Sequence, residues 1–317
     1  MRVRRLQLEI PIVWLLFAGV AVEIAITYSR LPAHELYNVS GTGLEGGTSR
    51  VLVFLNFPVA LVAIAVLLLL VERLGTGLRA VTLAGIVLSA AVFWPGVVDP
   101  GDLDARPVNA IAACGIAVAL AITVLVWHAG GLARSLDRAA LGLRAAAAAA
   151  ALAVAVPWIA AESGASLAGI PVLGTLWQTG ELRTQPGNPV PHRAVHAGHH
   201  HGMDGTLLVW SALLLLPLVA HVASRGLRVA TTAYLSLMLI YGTAELANDA
   251  WLEQVVKRGW TSREIPDVTQ PKASLAWAVI VLAAVALFAI LIRRPTGDAS
   301  QRHAPDAHTE ARASGPG

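Results

Sequence analysis

At 317 residues the chain is 56% hydrophobic and only 14% charged, against about 25% charged in an average soluble domain. The formal charge is +3, with basic residues scattered beside apolar blocks; this excludes a nucleic-acid-binding surface and any sizeable soluble domain. The single cysteine, Cys114, excludes an internal disulfide.

The N-terminal "MRVRR" leads into an apolar run from Ile10 to Tyr28. That run is long, carries Glu23 and lacks a small-x-small cleavage site, so it reads as a retained first helix rather than a signal peptide. Apolar blocks near the ~20 residues needed to cross a bilayer then recur. They predict eight spans, at 10–28, 51–71, 80–98, 108–128, 142–161, 205–223, 229–249 and 273–292. The fifth, "RAAAAAAALAVAVPWIAAESG", is alanine-rich, and Pro157 is expected to kink or end it. "SLAGIPVLGTLW" is apolar but too short to cross, and is expected to lie at the interface or re-enter. The expected fold is an all-α, polytopic membrane helical bundle of about eight transmembrane helices over residues 1–294. Residues 295–317, rich in Ala, Asp, His, Pro and Ser, read as a disordered cytoplasmic tail.

Basic residues set the orientation. Arg2, Arg4 and Arg5 precede the first span; Arg73 and Arg79, then Arg134, Arg138 and Arg144, then Arg225 and Arg228 occupy alternate loops; Arg293 and Arg294 follow the last span. All fall on one side of an eight-span chain, which places both termini in the cytoplasm. The opposite loops are longer and richer in acids, and one is "HRAVHAGHHHGMDG", residues 192–205.

That segment holds five histidines in ten residues. If the sixth helix begins at "NPVP", His192, His196, His199 and Met203 share one stripe, and His196, His200 and Asp204 an adjacent one. His201 lies between them. Neutral imidazoles at i, i+4 converge on one ion. Gly198 and Gly202 weaken a helix, so a loop folded around the ion is an equal alternative. Imidazole suits Zn, Cu, Fe and Ni, and thioether leans toward Cu(I). The mixture of His, Met and Asp puts copper first, with zinc or iron as alternatives.

"HRAVHAGHH" is similar to the histidine boxes of membrane fatty-acid desaturases and hydroxylases, with H-x-x-x-H followed by H-x-x-H-H. That resemblance implies a di-iron site. It covers about nine residues, its boxes overlap, and those families place theirs on the cytoplasmic face. "HHHGMDGTLLVW" also resembles the copper-delivering assembly factors of cytochrome oxidase, which carry histidines at the outer ends of helices before leucine-rich runs. That resemblance implies copper delivery.

Intramembrane acids are expensive and face a cavity or a partner. Glu23 lies in the outer part of the first span, Asn56 near the outer start of the second, and Glu162 ends the fifth. Glu245 and Asp249 stand at i, i+4 on the outer end of the seventh, with Asn248 between them, and His34 and Glu35 follow the first. All lie toward the face that carries the histidines. Glu23, Glu245 and Asp249 are the candidate acid/base residues. His34 is a further candidate ligand with Glu35 behind it. His128 and His221 end spans on the other side and read as snorkelling interfacial residues.

Three functions fit. The first is metal binding and delivery at an extracytoplasmic site, with the bilayer, the ion and a membrane or extracytoplasmic protein as partners. The second is a membrane metalloenzyme, an oxidoreductase or hydrolase acting on a lipid or small apolar substrate. The third is a structural or assembly subunit.

Overall fold

The structure, a computed structural model, describes residues 6–30, 43–97, 99, 104–133, 141–162, 171, 178–185, 188–195, 201–266, 268–269 and 271–293. It is predominantly helical. A two-residue strand β1 (Leu6–Gln7) precedes α1 (Glu9–Arg30), and α2 (Gly43–Phe54) runs through a π-helical turn (Leu55–Val59) into α3 (Ala60–Leu70). Then come α4 (Thr76–Ser89), α5 (Asn109–Gly130), a short strand β2 (Leu132–Ala133) and α6 (Leu141–Glu162). Strands β3 (Gln178–Gln185) and β4 (Asn188–Val195) form a hairpin ahead of α7 (His201–Leu215), α8 (Arg225–Trp251) and α9 (Leu275–Arg293).

Among the described residues, seven helical stretches are long and apolar enough to cross a membrane: Glu9–Ile26, Leu44–Arg73, Thr76–Phe93, Asn109–Gly130, Gly202–His221, Arg225–Val256 and Leu275–Arg293. The fifth expected span is also a helix, α6, whose described apolar stretch is the shorter Arg144–Ala153. Pro157 neither ends nor replaces it, since helix continues to Glu162. The expected tail at 295–317 lies outside the described residues.

Two elements depart from the sequence reading. "GLEGGTSR" has a loop's composition, yet α2 begins at Gly43. The reason is packing: a Cβ on Gly47 would lie 2.8 Å from the Ala25 carbonyl oxygen and 3.2 Å from Ser29 N, so only a bare Cα lets α2 lie this close to α1. The second departure is the hairpin. Its antiparallel register pairs Gln178 with Val195, Leu182 with Arg193, Arg183 with His192 and Gln185 with Asn188. Pro189 and Pro191 fix φ at values that serve an edge strand as well as a helix's first turn, and here they lie in strand β4.

Helix α3 occupies the centre. It is apolar all round and buried from Ala60 to Leu67 without a break, as a helix surrounded by others must be. Pro58 lies two residues before it, inside the π-helical turn, and has no N–H to give. The hydrogen-bond ladder slips there, and the Ala60 N–H bonds Leu55 O, five residues back. The slip buries Asn56, whose Nδ2 donates to Leu52 O and to Asn109 O, each at 2.9 Å. α5 is thereby fastened to the α2–α3 bend.

Neighbouring helices meet through small residues. A Cβ on Gly205 of α7 would lie 2.6 Å from Gly242 O of α8, and one on Gly242 would lie 2.9 Å from Gly205 O. α4 and α5 cross in the same way, with a Cβ on Gly115 falling 2.8 Å from Gly85 O. Such crossings let backbones pack where lipid supplies no hydrophobic drive. α6 joins the pair through Trp210, whose Nε1 donates to Ala148 O at 3.0 Å.

We call the end of the bundle at which α7 begins the upper end. At the lower end β1 pairs with β2 in parallel, and Arg73 donates to Gln7 Oε1. The Glu72 carboxylate accepts from Ala223 N and Ser224 N, both at 2.8 Å, just before α8. Ser224 Oγ then caps α8 by accepting from Leu227 N.

The α7–α8 crossing generates a prediction. Gly205→Ala and Gly242→Ala each drive a methyl into backbone and should destabilise the bundle by about 1–3 kcal/mol, lowering the thermal midpoint in detergent. Gly19→Ala, which meets nothing within 4 Å, should leave the midpoint unchanged or slightly higher. Equal midpoints for all three variants would contradict the crossing.

Candidate functional site

The upper end gathers charged side chains that the bilayer argument does not expect to be buried. Asp204, in the first turn of α7, is 7% exposed; Arg50 on α2 is 4%; Asp249 and Glu245 on α8 are 4% and 1%. Their placement follows from the α7–α8 crossing. α8 runs antiparallel to α7, so above the Gly242–Gly205 contact Asp249, seven residues beyond Gly242, meets Gly202, three residues before Gly205. A Cβ on Gly202 would lie 2.6 Å from Asp249 Oδ2. The Asp249 carboxylate therefore rests against the first turn of α7, where backbone N–H groups have no partner within the helix and the dipole favours negative charge.

Asp204 lies within electrostatic reach of Arg50, and its Oδ1 accepts no hydrogen bond among the described residues. A buried carboxylate is tolerated only when paired, and Arg50 is the cation that α2 supplies. Asp249 and Glu245 are buried on α8 at the same end of the bundle. Met203 is buried beside Asp204 at 3% exposure. Thr206, one turn on, satisfies itself by donating to Gly202 O at 2.7 Å.

Glu245 lies one turn deeper than Asp249. The Tyr241 hydroxyl is 2.8 Å from Glu245 Oε1 and 2.7 Å from Thr269 O. A phenol has one proton to give, and a carbonyl oxygen can only accept. Tyr241 is the donor in both contacts, its one proton shared between the Glu245 oxygen and the Thr269 carbonyl.

The other expected residues fall as follows. His192 is on β4, so it does not belong to α7, and the continuous helical stripe from His192 to Met203 is not formed. His201 is the first residue of α7; its side chain and that of His192 lie outside the described residues. His34, His196, His199 and His200 also lie outside them. Glu23 is on α1, with its side chain again outside. Among the described residues no three of His, Cys, Asp and Glu stand close enough together to hold a metal ion.

Asn56 is bound to backbone and to the start of α5, where Asn109 in turn donates to Val97 O at 3.1 Å. It fastens helices and does not join the acids. Asn248 faces away, donating to Pro266 O at 3.0 Å, while Trp251 Nε1 donates to Arg263 O at 2.8 Å. These two bonds lay residues 261–266 over the end of α8. His128 and His221 are exposed at the lower ends of their helices, as snorkelling requires.

Arg50 and Tyr241 were not singled out by the sequence. Arg50 immediately precedes an apolar run, where an arginine ordinarily marks a helix end at the interface. The early start of α2 draws it inside. The signal was present only as a charge flanked by glycines at helical spacing.

Two predictions follow from this geometry. Arg50→Met alone should cost about 3–5 kcal/mol, because it strands a buried acid. Adding Asp204→Leu should recover much of that loss, and chemical denaturation of the two single variants and the double measures the coupling. Strict additivity would refute the pairing. At the deeper position Glu245→Gln keeps an acceptor for Tyr241 and should unfold close to the wild type. Glu245→Ala should lose about 1–3 kcal/mol, and an equal loss in both variants would contradict the acceptor assignment.

The chain matches no protein-family model, and no curated protein or solved structure was found similar to it.

Proposed function

We propose that this is a multi-pass membrane protein that binds a transition-metal cation at its upper end and hands it on. Eight spans place both termini in the cytoplasm and the upper end outside, in keeping with Arg73, Arg79, Arg225, Arg228 and Arg293 at the opposite end of the helices. The observation that supports the reading is the burial of Asp204, beside Met203, in the first turn of α7, where the histidine segment enters that helix and Asp249 of α8 rests against it. Asp204 Oδ1 accepts no hydrogen bond among the described residues, and a buried carboxylate calls for a partner of positive charge. The donors that precede Asp204 in sequence are imidazoles and a thioether, which suit copper first and zinc or iron next. His192, His196, His199, His200, His201, Met203 and Asp204 are the proposed ligand set, with His34 as a further donor. Asp249 rests against the first turn of α7 and orients that set from behind.

Delivery is favoured over conduction. Below the acids α3 is wholly apolar. The hydroxyls that α8 carries there bond their own backbone: Thr231 to Leu227 O, Thr232 to Arg228 O and Ser236 to Thr232 O. Among the described residues these groups, with the buried Ser211 hydroxyl on α7, line no continuous polar path for an ion entering from above. The partner is then a membrane or extracytoplasmic protein that takes the ion from the same face.

A second reading, a metalloenzyme acting on a lipid or small apolar substrate, is favoured by one observation. Tyr241 and Glu245 form a buried hydroxyl–carboxyl pair, a proton donor and acceptor held within the bilayer depth. Glu23 and Asp249 are the other acid/base candidates in that reading.

Elemental analysis of untagged protein, purified without added metal, tests the proposal. The wild type should carry close to one copper per chain, and His196→Ala with His200→Ala should lose it. Asp249→Asn should weaken retention by about 10–100-fold. Metal content that is negligible in the wild type, or unchanged in the double histidine variant, would overturn the assignment.

A further inference from the structure

A cavity of about 320 Å³ lies between the π-helical turn and α3, the end of α4, the upper half of α8 and the start of α9. Six aromatic residues line it: Phe57, Phe93, Trp94, Tyr234, Tyr241 and Trp277. Their rings meet at varied angles. Phe57 and Tyr241 are edge-to-face at 6.0 Å, and Tyr241 and Trp277 are tilted at 5.1 Å. The remaining lining side chains are aliphatic, methionine, proline and one threonine, and among the described residues no carboxylate, ammonium, guanidinium or imidazole lines it.

The polar ends of the two tyrosines are already engaged in the walls. Tyr234 donates to Leu61 O at 2.8 Å, and Tyr241 bonds Glu245 and Thr269. The space is therefore presented mainly with ring faces, ring edges and methyl groups, Trp277 Nε1 being a buried donor of a lining residue without a partner among the described residues. Water needs two to four polar partners and is held poorly by such a wall. Close packing elsewhere in the bundle, down to glycine against carbonyl, argues that this opening is kept rather than left over.

We propose that the cavity binds an uncharged, lipid-soluble molecule carrying a flat ring or fused ring pair. Charge is excluded because the wall offers no counter-ion. A flat ring is favoured over an acyl chain because aromatic walls at mixed angles offer edges and faces for offset and T-shaped contacts. Size excludes a whole two-chain lipid: the volume is at the low end of the roughly 300–1,000 Å³ of small-molecule sites. The ligand enters past Trp94, 74% exposed, and Phe93, 50% exposed. This site is separate from the proposed metal ligands, and neither reading depends on the other.

Photo-cross-linking of the full chain in phosphatidylcholine nanodiscs tests the proposal. The probe is a trifluoromethyl-diazirine derivative of naphthalene, and the same diazirine on a dodecyl chain is the comparison. Naphthyl label should concentrate on peptides holding Phe57, Met238 and Trp277, and unlabelled naphthalene should compete for it. Met238→Trp and Leu237→Phe both fill the space and should lower that labelling by about tenfold, with helix content unchanged. If Met238→Trp does not fold, Leu237→Phe carries the test. Label spread evenly over the outward-facing Val279 and Leu282 would overturn the proposal. So would equal labelling of the cavity by the dodecyl probe, or undiminished labelling of the filled variants. Metal content measured on the same preparations separates a failure here from a failure of the metal reading.

Discussion

The crossing of α7 and α8 at Gly205 and Gly242 governs the upper half of the molecule. Inside a bilayer two helices gain nothing from hiding apolar surface, since lipid is as apolar as leucine. They gain from contact, and contact is closest where neither carries a side chain. With a Cβ on either glycine falling under 3 Å from the facing carbonyl, the two backbones are as near as they can be. That nearness brings Gly202 against Asp249 above it, and it sets Asp204 within electrostatic reach of Arg50 on α2. Remove the crossing and the acids would separate by the width of a side chain on each helix.

The same closeness concentrates buried acids. Asp204 and Asp249 are both buried at the start of α7, where Arg50 of α2 is within electrostatic reach of Asp204 and the helix start contributes partial positive charge beside Asp249. Glu245, one turn deeper, is bonded by Tyr241. In the proposed reading, imidazole donors immediately upstream in the chain would hold a soft or borderline metal there. An unassisted acid cluster would take hard cations.

Much of the helical frame was legible in the sequence, because a stretch that must satisfy every backbone group internally and face lipid outside can only be a long apolar helix. The agreement of Glu245, Asp249 and Asp204 at one end was also legible, since alternation of direction through the spans fixes which ends share a face. What escaped was decided by packing between distant segments. Gly46 and Gly47 weaken a helix considered alone, yet Gly47 permits α2 to lie on α1, which extends α2 back to Gly43 and buries Arg50. Pro58 was visible, but not that its missing N–H would slip the ladder by one residue and turn Asn56 toward α5. The β3–β4 hairpin had a signal in the Pro186–Gly187 pair between polar runs. Prolines near His192, read as a helix start, masked it.

The two ends of the bundle are built on different principles, and the contrast bears on function. At the lower end backbone groups outside the helices find partners in the chain itself: β1 pairs with β2, Glu72 holds the amides before α8, and Ser224 caps that helix. Such an end is fastened. At the upper end the connections are long and three acids are buried. A cavity opens beside them, with Tyr241 in its wall and Glu245 behind that tyrosine. Buried acid and unfilled volume each cost stability, and the upper half of α8 carries both; it is there that the proposed metal and ring sites would lie.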